Sequence, residues 1–422
     1  MNIVLVNTLH YRGGGIATYT FNVAEMLRQH GHTVSFFAMQ DKRNLPDPND
    51  DLFVSNIDFR EQNRHRSLVG GLQVASRAIY SREARDKFRQ LLERVKPDLV
   101  HMRGIHGHLT PSVIFEAKAQ GLPVLWGQAD YKLICPNTTF LIDRTGQVCE
   151  ACGTHAYYQP LLKRCKKDSL LASGLASLEA YVHLWLGVRD RVDAFLAPSR
   201  FLRDKLLSRG FDPAKVHHIP NFLPDADMAR PASPSEGYLL FMGRVETIKG
   251  MAALLAASRM APNVRVVVAG PADETAQRSW LSQLPANVEY VGFLQGEALQ
   301  RRLAGALAVV VPTICYENQP FSVLEAFARH KPVIASDLGG LPELVAHQER
   351  GLLVPPGEPE PLADAMRWLS AHPGEASAMG EAAYRYVSRE HSAGAHYDRL
   401  MERYTRALTP PSANPAKVEA IQ

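Results

Sequence analysis

The stretch LAVVVPTICYENQPFSVLEAFARHKPVIAS, residues 307–336, reads as one strand–helix–strand unit. Its first run, LAVVVPT, is β-branched and leads into a turn that holds Pro320. SVLEAFA has the apolar spacing of a short helix, and KPVIAS opens a second β-branched run. Short apolar strands joined by helices pair in parallel, and such units build doubly wound sheets. The unit also carries two carboxylates, Glu317 just past the first strand and Glu325 within the helix. Their placement bears on function, because open α/β sheets bind ligands beyond the carboxyl ends of their strands.

The same alternation runs outward in both directions. NIVLVNT, a helix over about 16–30, HTVSFFAM, DLVHM, LPVLWGQ, DAFLAPS and KVHHIPN follow one another in the first half. GYLLFMGR, VRVVVAG, NVEYVGF, LAVVVPT, KPVIASD and GLLVPP do so in the second. The pattern predicts an α/β protein of two Rossmann-like domains, residues 1–222 and 223–388, facing each other across a cleft. NFLPDADMARPASPSEG, residues 221–237, lacks periodicity and reads as the linker. A last helical pattern covers about 380–408, and its part 389–408 is expected to pack back on the first domain. The Pro-rich tail 409–422 is expected to be disordered.

The chain has 422 residues, 46% hydrophobic and 21% charged, as in ordinary globular proteins. No apolar run is long enough to span a membrane, and MNIVLVNTLHYRGGG has no basic region ahead of its apolar run. Five cysteines, with Cys315 far from the others, do not form a secreted disulfide framework, so a cytoplasmic protein is expected. Residues 1–222 hold 29 Lys+Arg against 21 Asp+Glu, and the remainder 18 against 22, which suggests two domains with different partners. No aromatic–basic motif accompanies the excess, so nucleic acid is not an expected partner. RSLVGGLQVASRAIYSREARDKFRQLLERVK (66–96) and KRCKK (163–167) offer either a solvated helix face or a surface for anionic lipid at the inner side of a membrane.

Three loops at strand ends carry candidate ligand chemistry. Gly13, Gly14 and Gly15 follow the first strand and open the first helix, where backbone can approach a ligand and a helix start favours an anion. The spacing is not that of a dinucleotide fingerprint. In FMGRVETIKG, Gly243 and Gly250 flank Arg244 and Lys249, a fork and a point charge suited to a diphosphate. In the opening stretch, the amides of Phe321, Ser322 and Val323 are expected to be free at a helix start and to cradle a second phosphate. Glu317 and Glu325 would accept hydrogen bonds from sugar hydroxyls; a buried Glu325 in an apolar helix needs some partner. Separately, Cys135, Cys149, Cys152 and Cys165 have the spacing of a tetrahedral zinc site, and equally of four small buried side chains.

GRVETIKG, VVVAGP, VEYVGFL, YENQPFSVLEAFA, KPVIASDLGGLPELV and GLLVPPGEPEPLADAM occur in this order, preceded by APSRFLRDKL and VHHIPNF. The series resembles the family-4 retaining glycosyltransferases of the GT-B fold, over nearly the whole chain. The resemblance implies transfer of a sugar from a nucleotide-diphosphate donor to a hydroxyl acceptor, a glycan or lipid-linked glycan of surface polysaccharide synthesis, with retention and no metal at the reacting centre. It implies that Glu325 binds the donor ribose, that Glu317 lies near the transferred sugar, that Asn318 is among the donor-binding residues, and that Arg244 and Lys249 stabilise the leaving diphosphate. Gly14, Gly15, Gly243 and Gly270 would approach the donor, and Phe293 and Leu294 would border its base. LWGQADYKLICPN departs from the family's HDYxxxCP: Ala129 stands where relatives carry a histidine. His101, His106, Asp130 and Tyr131 are the candidates for the acceptor side. Relatives with DYKLICPN carry a Cys-rich insertion at this point, here about 135–168. Two alternatives share the build, a nucleotide-sugar 2-epimerase and a catalytically silent sugar-nucleotide binder.

Overall fold

The computed structural model describes residues 1–56, 77, 79–228 and 234–409. Each of the twelve apolar runs becomes a strand. The first sheet contains β1 (Asn2–Val6), β2 (Thr33–Phe37), β3 (Leu99–Met102) and β4 (Val124–Gly127). A hairpin, β5 (Leu141–Ile142) and β6 (Gln147–Val148), lies outside it in the insertion. β7 (Ala194–Ala197) and β8 (Val216–His218) complete the sheet. The second holds β9 (Tyr238–Met242), β10 (Arg265–Ala269), β11 (Val288–Tyr290), β12 (Ala306–Val311), β13 (Val333–Ser336) and β14 (Gly351–Val354). The orders are β2-β1-β3-β4-β7-β8 and β11-β10-β9-β12-β13-β14, and every pairing within them is parallel. Strands covered on both faces need unbroken apolar runs, and β3, β4, β7 and β13 are buried at every position.

The last helical pattern is two helices, Pro373–Glu390 and Ala393–Leu408, where one run was expected. The break is where the chain crosses between domains. His391 donates its amide to Val387, its carbonyl receives the Leu223 amide at 3.0 Å, and Ser392 caps the new helix through Ala395. The second helix does return to the first domain: Leu400 and Tyr404 are fully buried against Ile3, Leu5 and Tyr19. The linker contains a short helix, Asp225–Met228, and residues 229–233 lie outside the described residues. So does the tail from residue 410 on, and with it the expectation of disorder.

The basic stretch 66–96 is only partly described. Over the helix Arg82–Val95 four of its five cations, all but the exposed Arg82, are taken up within the molecule. Arg85 and Arg89 both pair with Glu116 at 2.9 Å, and Arg94 pairs with Asp51 at 2.8 Å. Lys87 reaches Glu83 at 3.4 Å. This helix is a salt-bridged face packed on the sheet, not a free cationic surface.

Candidate functional site

Strand order changes direction between β9 and β12, so the loops that follow these two strands diverge and leave a crevice. Lys249 is on one of these loops and Glu317 on the other, and they form an ion pair. The loops are strapped together. The Ile314 amide donates to the Ile248 carbonyl at 3.1 Å and the Thr313 hydroxyl to the same oxygen at 2.9 Å. A Cβ on Gly250, which has φ +80, would lie 1.8 Å from the Pro312 carbonyl oxygen, so only glycine allows this approach. Burial is the largest influence on Lys249 and lowers its pKa, but the charge and hydrogen bond of Glu317 outweigh it, leaving the ammonium above the ordinary lysine value. Arg244 is more exposed, at the rim, and turns onto Glu246 at 2.8 Å.

Gly243 and Gly270 meet at the ends of the neighbouring strands, with Phe293 one residue past Gly292. A Cβ on Gly270 would lie 1.7 Å from the Gly243 carbonyl oxygen, and the Gly270 amide donates to Gly292 at 2.8 Å. Phe293 is 63% exposed there, while Leu294 packs inward against the second-domain core.

The helix Phe321–Ala328 starts beneath Glu317. The three expected free amides are two: Val323 donates to the Pro320 carbonyl at 3.2 Å, because the first turn closes tightly. The Phe321 and Ser322 amides have no acceptor among the described residues. Glu325, half-buried, has no hydrogen bond or ion pair there either. Burial first, then the Asp227 charge, pushes its pKa up to about 7, against the opposing pull of Arg329. A carboxylate held partly dehydrated without a partner is costly to keep and available to a ligand.

Sequence reasoning missed how this wall is held. The Gly340 amide donates to the Glu317 carbonyl at 2.7 Å, and a Cβ on Gly340 would lie 1.9 Å from the Asn318 carbonyl oxygen. The glycine pair after β13, in DLGGLPELV, was the available signal. Across the cleft, Asn318 Nδ2 donates to the Ala129 carbonyl at 3.2 Å, and the Tyr316 hydroxyl to Glu150 of the insertion at 2.7 Å. The Tyr316 ring sits among Phe201, Phe140 and Tyr131 of the first domain, at 4.8, 5.6 and 6.2 Å.

On the first-domain side, the glycine loop does face the second domain. A Cβ on Gly15 would meet the Phe321 ring at 3.3 Å, and Gly14, with φ +115, precedes the helix Gly15–Gln29. Two of the four acceptor-side candidates are corrected. His101 lies within β3, fully inside, with Nδ1 2.7 Å from the Tyr404 hydroxyl; burial, then the Arg103 charge, pushes it down to about 3. It holds the returning helix. Tyr131 is 3% exposed, its hydroxyl without a partner, and burial followed by the Glu317 charge pushes its pKa upward. Asp130 and His106 do come together, 3.9 Å apart, just past β4 and β3. His106 is held below its ordinary pKa mainly by burial.

The four cysteines of the insertion converge, and all are free thiols. Burial, then the neighbouring Cys135, Cys165 and Cys149, pushes Cys152 up to about 12; burial first and its fellow cysteines next push Cys165 up to about 11. Burial also raises Cys135, opposed by the amides of Phe140, Asn137 and Thr138. Among the described residues no group of three or more His, Cys, Asp or Glu side chains is placed to hold a metal ion.

Comparison with known proteins fits this geometry. The family described as glycosyl transferases group 1 matches residues 225–386, and the glycosyl transferase 4-like domain matches residues 14–221. An uncharacterized 42.6 kDa protein of the cps region of Klebsiella pneumoniae is 25% identical over 355 residues, 82% of this chain and 87% of that one. Alpha-maltose-1-phosphate synthase of Mycolicibacterium smegmatis is 30% identical over 51% of this chain and 64% of its own. D-rhamnosyltransferase WbpZ of Pseudomonas aeruginosa is 36% identical over 36% of this chain and 41% of its own. The chain thus spans less than two thirds of the last two. Among solved structures, sucrose-phosphate synthase from Thermosynechococcus elongatus superposes with a TM-score of 0.67 at 19% identity, covering 96% of this chain and 98% of that one. Anabaena Alr3699/HepE, in complex with UDP, gives 0.67 at 15% identity, covering 96% of this chain and 100% of that one. These likenesses show the fold, and with two family matches that between them take in most of the sequence, the chain belongs to the GT-B glycosyltransferases.

Proposed function

We propose that this glycosyltransferase takes a sugar from a nucleotide-diphosphate donor and passes it, with retention of anomeric configuration, to a hydroxyl of a glycan or lipid-linked glycan. The observation that carries the reading is the arrangement at the β9/β12 crevice: a Lys249–Glu317 pair above a helix start with two open amides and an unpartnered Glu325. Sugar–phosphate cleavage builds negative charge on the departing diphosphate and positive charge on the ring. Lys249, joined by Arg244 from the rim, neutralises the first. The amides of Phe321 and Ser322 add fixed donors at a helix N-terminus. Glu325 accepts from the ribose hydroxyls, which brings its carboxylate the partner it lacks. Glu317 lies beside Lys249, where the transferred sugar would sit, with Asn318 next to it.

The solved HepE complexes contain UDP and UDP-glucose, which supports a nucleotide-sugar donor for a chain of the same fold. Ala129 takes no part in proton transfer; its carbonyl braces Asn318. The leaving phosphate then receives the acceptor proton, as retaining transfer without a first-domain base requires. The test is a thermal-shift screen of UDP-, GDP- and ADP-sugars, followed by turnover with and without hydroxyl acceptors. Ligand at a hundred times its dissociation constant stabilises by about 2.7 kcal/mol. A shift with one donor class and turnover only with acceptor supports the reading. Turnover of donor alone would mark an epimerase, and a shift without turnover would mark a silent binder.

A further inference from the structure

Eight of the fifteen large apolar side chains that are exposed among the described residues fall within residues 158–186. They sit on two helices, Gln159–Lys163 of the insertion and Leu170–Trp185 just after it, and the residues beside them. The longer helix is oriented against the usual rule. Ser173, Ala176, Ser177 and His183 face inward, and His183 Nε2 is 2.9 Å from the Ile79 carbonyl. Outward, Leu171, Leu178 and Trp185 recur at seven-residue spacing, 84%, 50% and 75% exposed. Leu162, on the shorter helix, is 71% exposed, and Tyr158 and Leu161 adjoin it. A contiguous apolar stripe of this kind on a soluble domain marks an interaction surface.

The charges around the stripe select its partner. Residues 158–186 contain Lys163, Arg164, Lys166 and Lys167 against Asp168 and Glu179. Glu179 is spent inward on Lys132 at 2.6 Å, and Asp168 lies 3.8 Å from Arg144. The rim is therefore cationic, and the apolar face presents no acid. Trp185 stacks on Tyr181, with centroids 5.7 Å apart, so the stripe ends in an aromatic pair of the type that settles at a bilayer's headgroup level. No helix is long and apolar enough to cross a membrane among the described residues, so a helix of this kind lies on the surface.

We infer that the outer face of these two helices docks the protein on an anionic lipid surface, with the leucines and Trp185 in the acyl boundary and the 163–167 cations on the headgroups. The inner face of the longer helix, at Ala180, His183 and Leu184, lines a cavity together with His106 and Lys132. Docking thus holds the bilayer on the side of the first domain that carries His106 and Asp130. Under the function proposed above, this is where a lipid-linked acceptor would arrive.

Co-sedimentation of the full-length protein with phosphatidylcholine vesicles, with and without phosphatidylglycerol, tests this. Binding is expected only to the anionic vesicles and is expected to weaken with salt. Arg164→Gln/Lys167→Gln is expected to weaken it by about thirtyfold, since each near-surface cation contributes about a factor of five. Leu162→Ser/Leu171→Ser/Trp185→Ser, all at exposed positions, is expected to abolish it while the melting temperature holds. No binding of the wild type at low salt overturns the inference, as does undiminished binding by both variants. A wild-type dimer that dissociates in the leucine variant, without vesicle binding, assigns the stripe to a second copy instead. Donor binding measured without vesicles is a separate readout, so failure of the proposed transferase activity leaves this result intact.

Discussion

At the switch point of the second sheet, Lys249 and Glu317 pair with each other and face the cleft. At that of the first sheet, between β1 and β3, the polar groups turn inward. His101 bonds Tyr404 of the returning helix, and Arg103 lies over the Tyr19 ring at 3.6 Å and donates to Asn221 at 2.9 Å. Asn221 in turn donates its side chain to the Gln319 carbonyl at 3.0 Å, joining the domains. The same place in two similar sheets thus does two jobs: the second domain keeps its charges available to a ligand, and the first spends its polar groups on holding the halves together. What separates them is cover. The helix Ala393–Leu408 seals the first-domain residues from water, and among the described residues no such helix covers the β9/β12 loops.

Substitutions on the two sides should therefore fail in different ways. The largest effect on turnover is expected at Lys249. Lys249→Ala removes a preorganised charge where the leaving group gathers negative charge, and turnover is expected to fall by about 10²–10³ with a much smaller change in donor affinity. Wild-type turnover at saturating donor would remove this loop from leaving-group stabilisation. Glu317→Gln is expected to lose turnover while keeping the fold.

Glu325 sharpens the contrast through pH. Its raised pKa means the folded state favours the protonated form, so its contribution to stability is full below the unfolded carboxyl value near 4.5 and is lost as pH rises through about 7. Glu325→Gln is expected to flatten the pH dependence of unfolding between those limits, by on the order of 1–3 kcal/mol, and to weaken donor affinity. Denaturant titrations at a series of pH values measure the first. An unchanged pH profile would mean that Glu325 is solvated after all.

On the first-domain side, Tyr404→Phe leaves His101 Nδ1 buried without a partner. A stability loss of about 1–3 kcal/mol with unchanged turnover per folded molecule is expected. Loss of turnover in the folded fraction would return His101 to the chemistry. Tyr316→Phe cuts the cross-cleft bond to Glu150; burial is the largest single influence on that carboxyl and raises its pKa, but Lys205, Tyr316 and Arg209 together outweigh it and hold the pKa down. An effect of about 1 kcal/mol is expected, on stability or on the KM for donor.

The smallest effect on chemistry concerns the insertion thiols, for which we propose one structural zinc. Its uptake has to draw the sulfurs together and remove their protons, which burial now holds in place. Elemental analysis of protein purified without added metal is expected to give one zinc per chain, absent from Cys149→Ser/Cys152→Ser, with turnover unchanged. A zinc-free wild type of equal stability would leave the thiols as packing groups.

The twelve strands and both switch loops were legible in the amino-acid sequence because they rest on local signals. β-Branched runs buried on both faces need no partner to be recognised, and a charge placed just past such a run has little choice of location. The histidines were not legible. His101 and His106 stand five residues apart after similar apolar context, yet one is within a strand under a helix that arrives from residue 393 onward, and the other is beyond the strand end. The inverted helix Leu170–Trp185 teaches the same lesson. Its seven-residue leucine spacing has the period of a core-facing stripe, but period alone does not say which side of a helix the rest of the molecule covers. The sequence by itself determined the strands, their division into two domains, the placing of Lys249 and Glu317 just past strands, and that of Glu325 in the helix that follows. Only the tertiary structure decided which polar groups lose their water, because desolvation depends on elements hundreds of residues away in the chain.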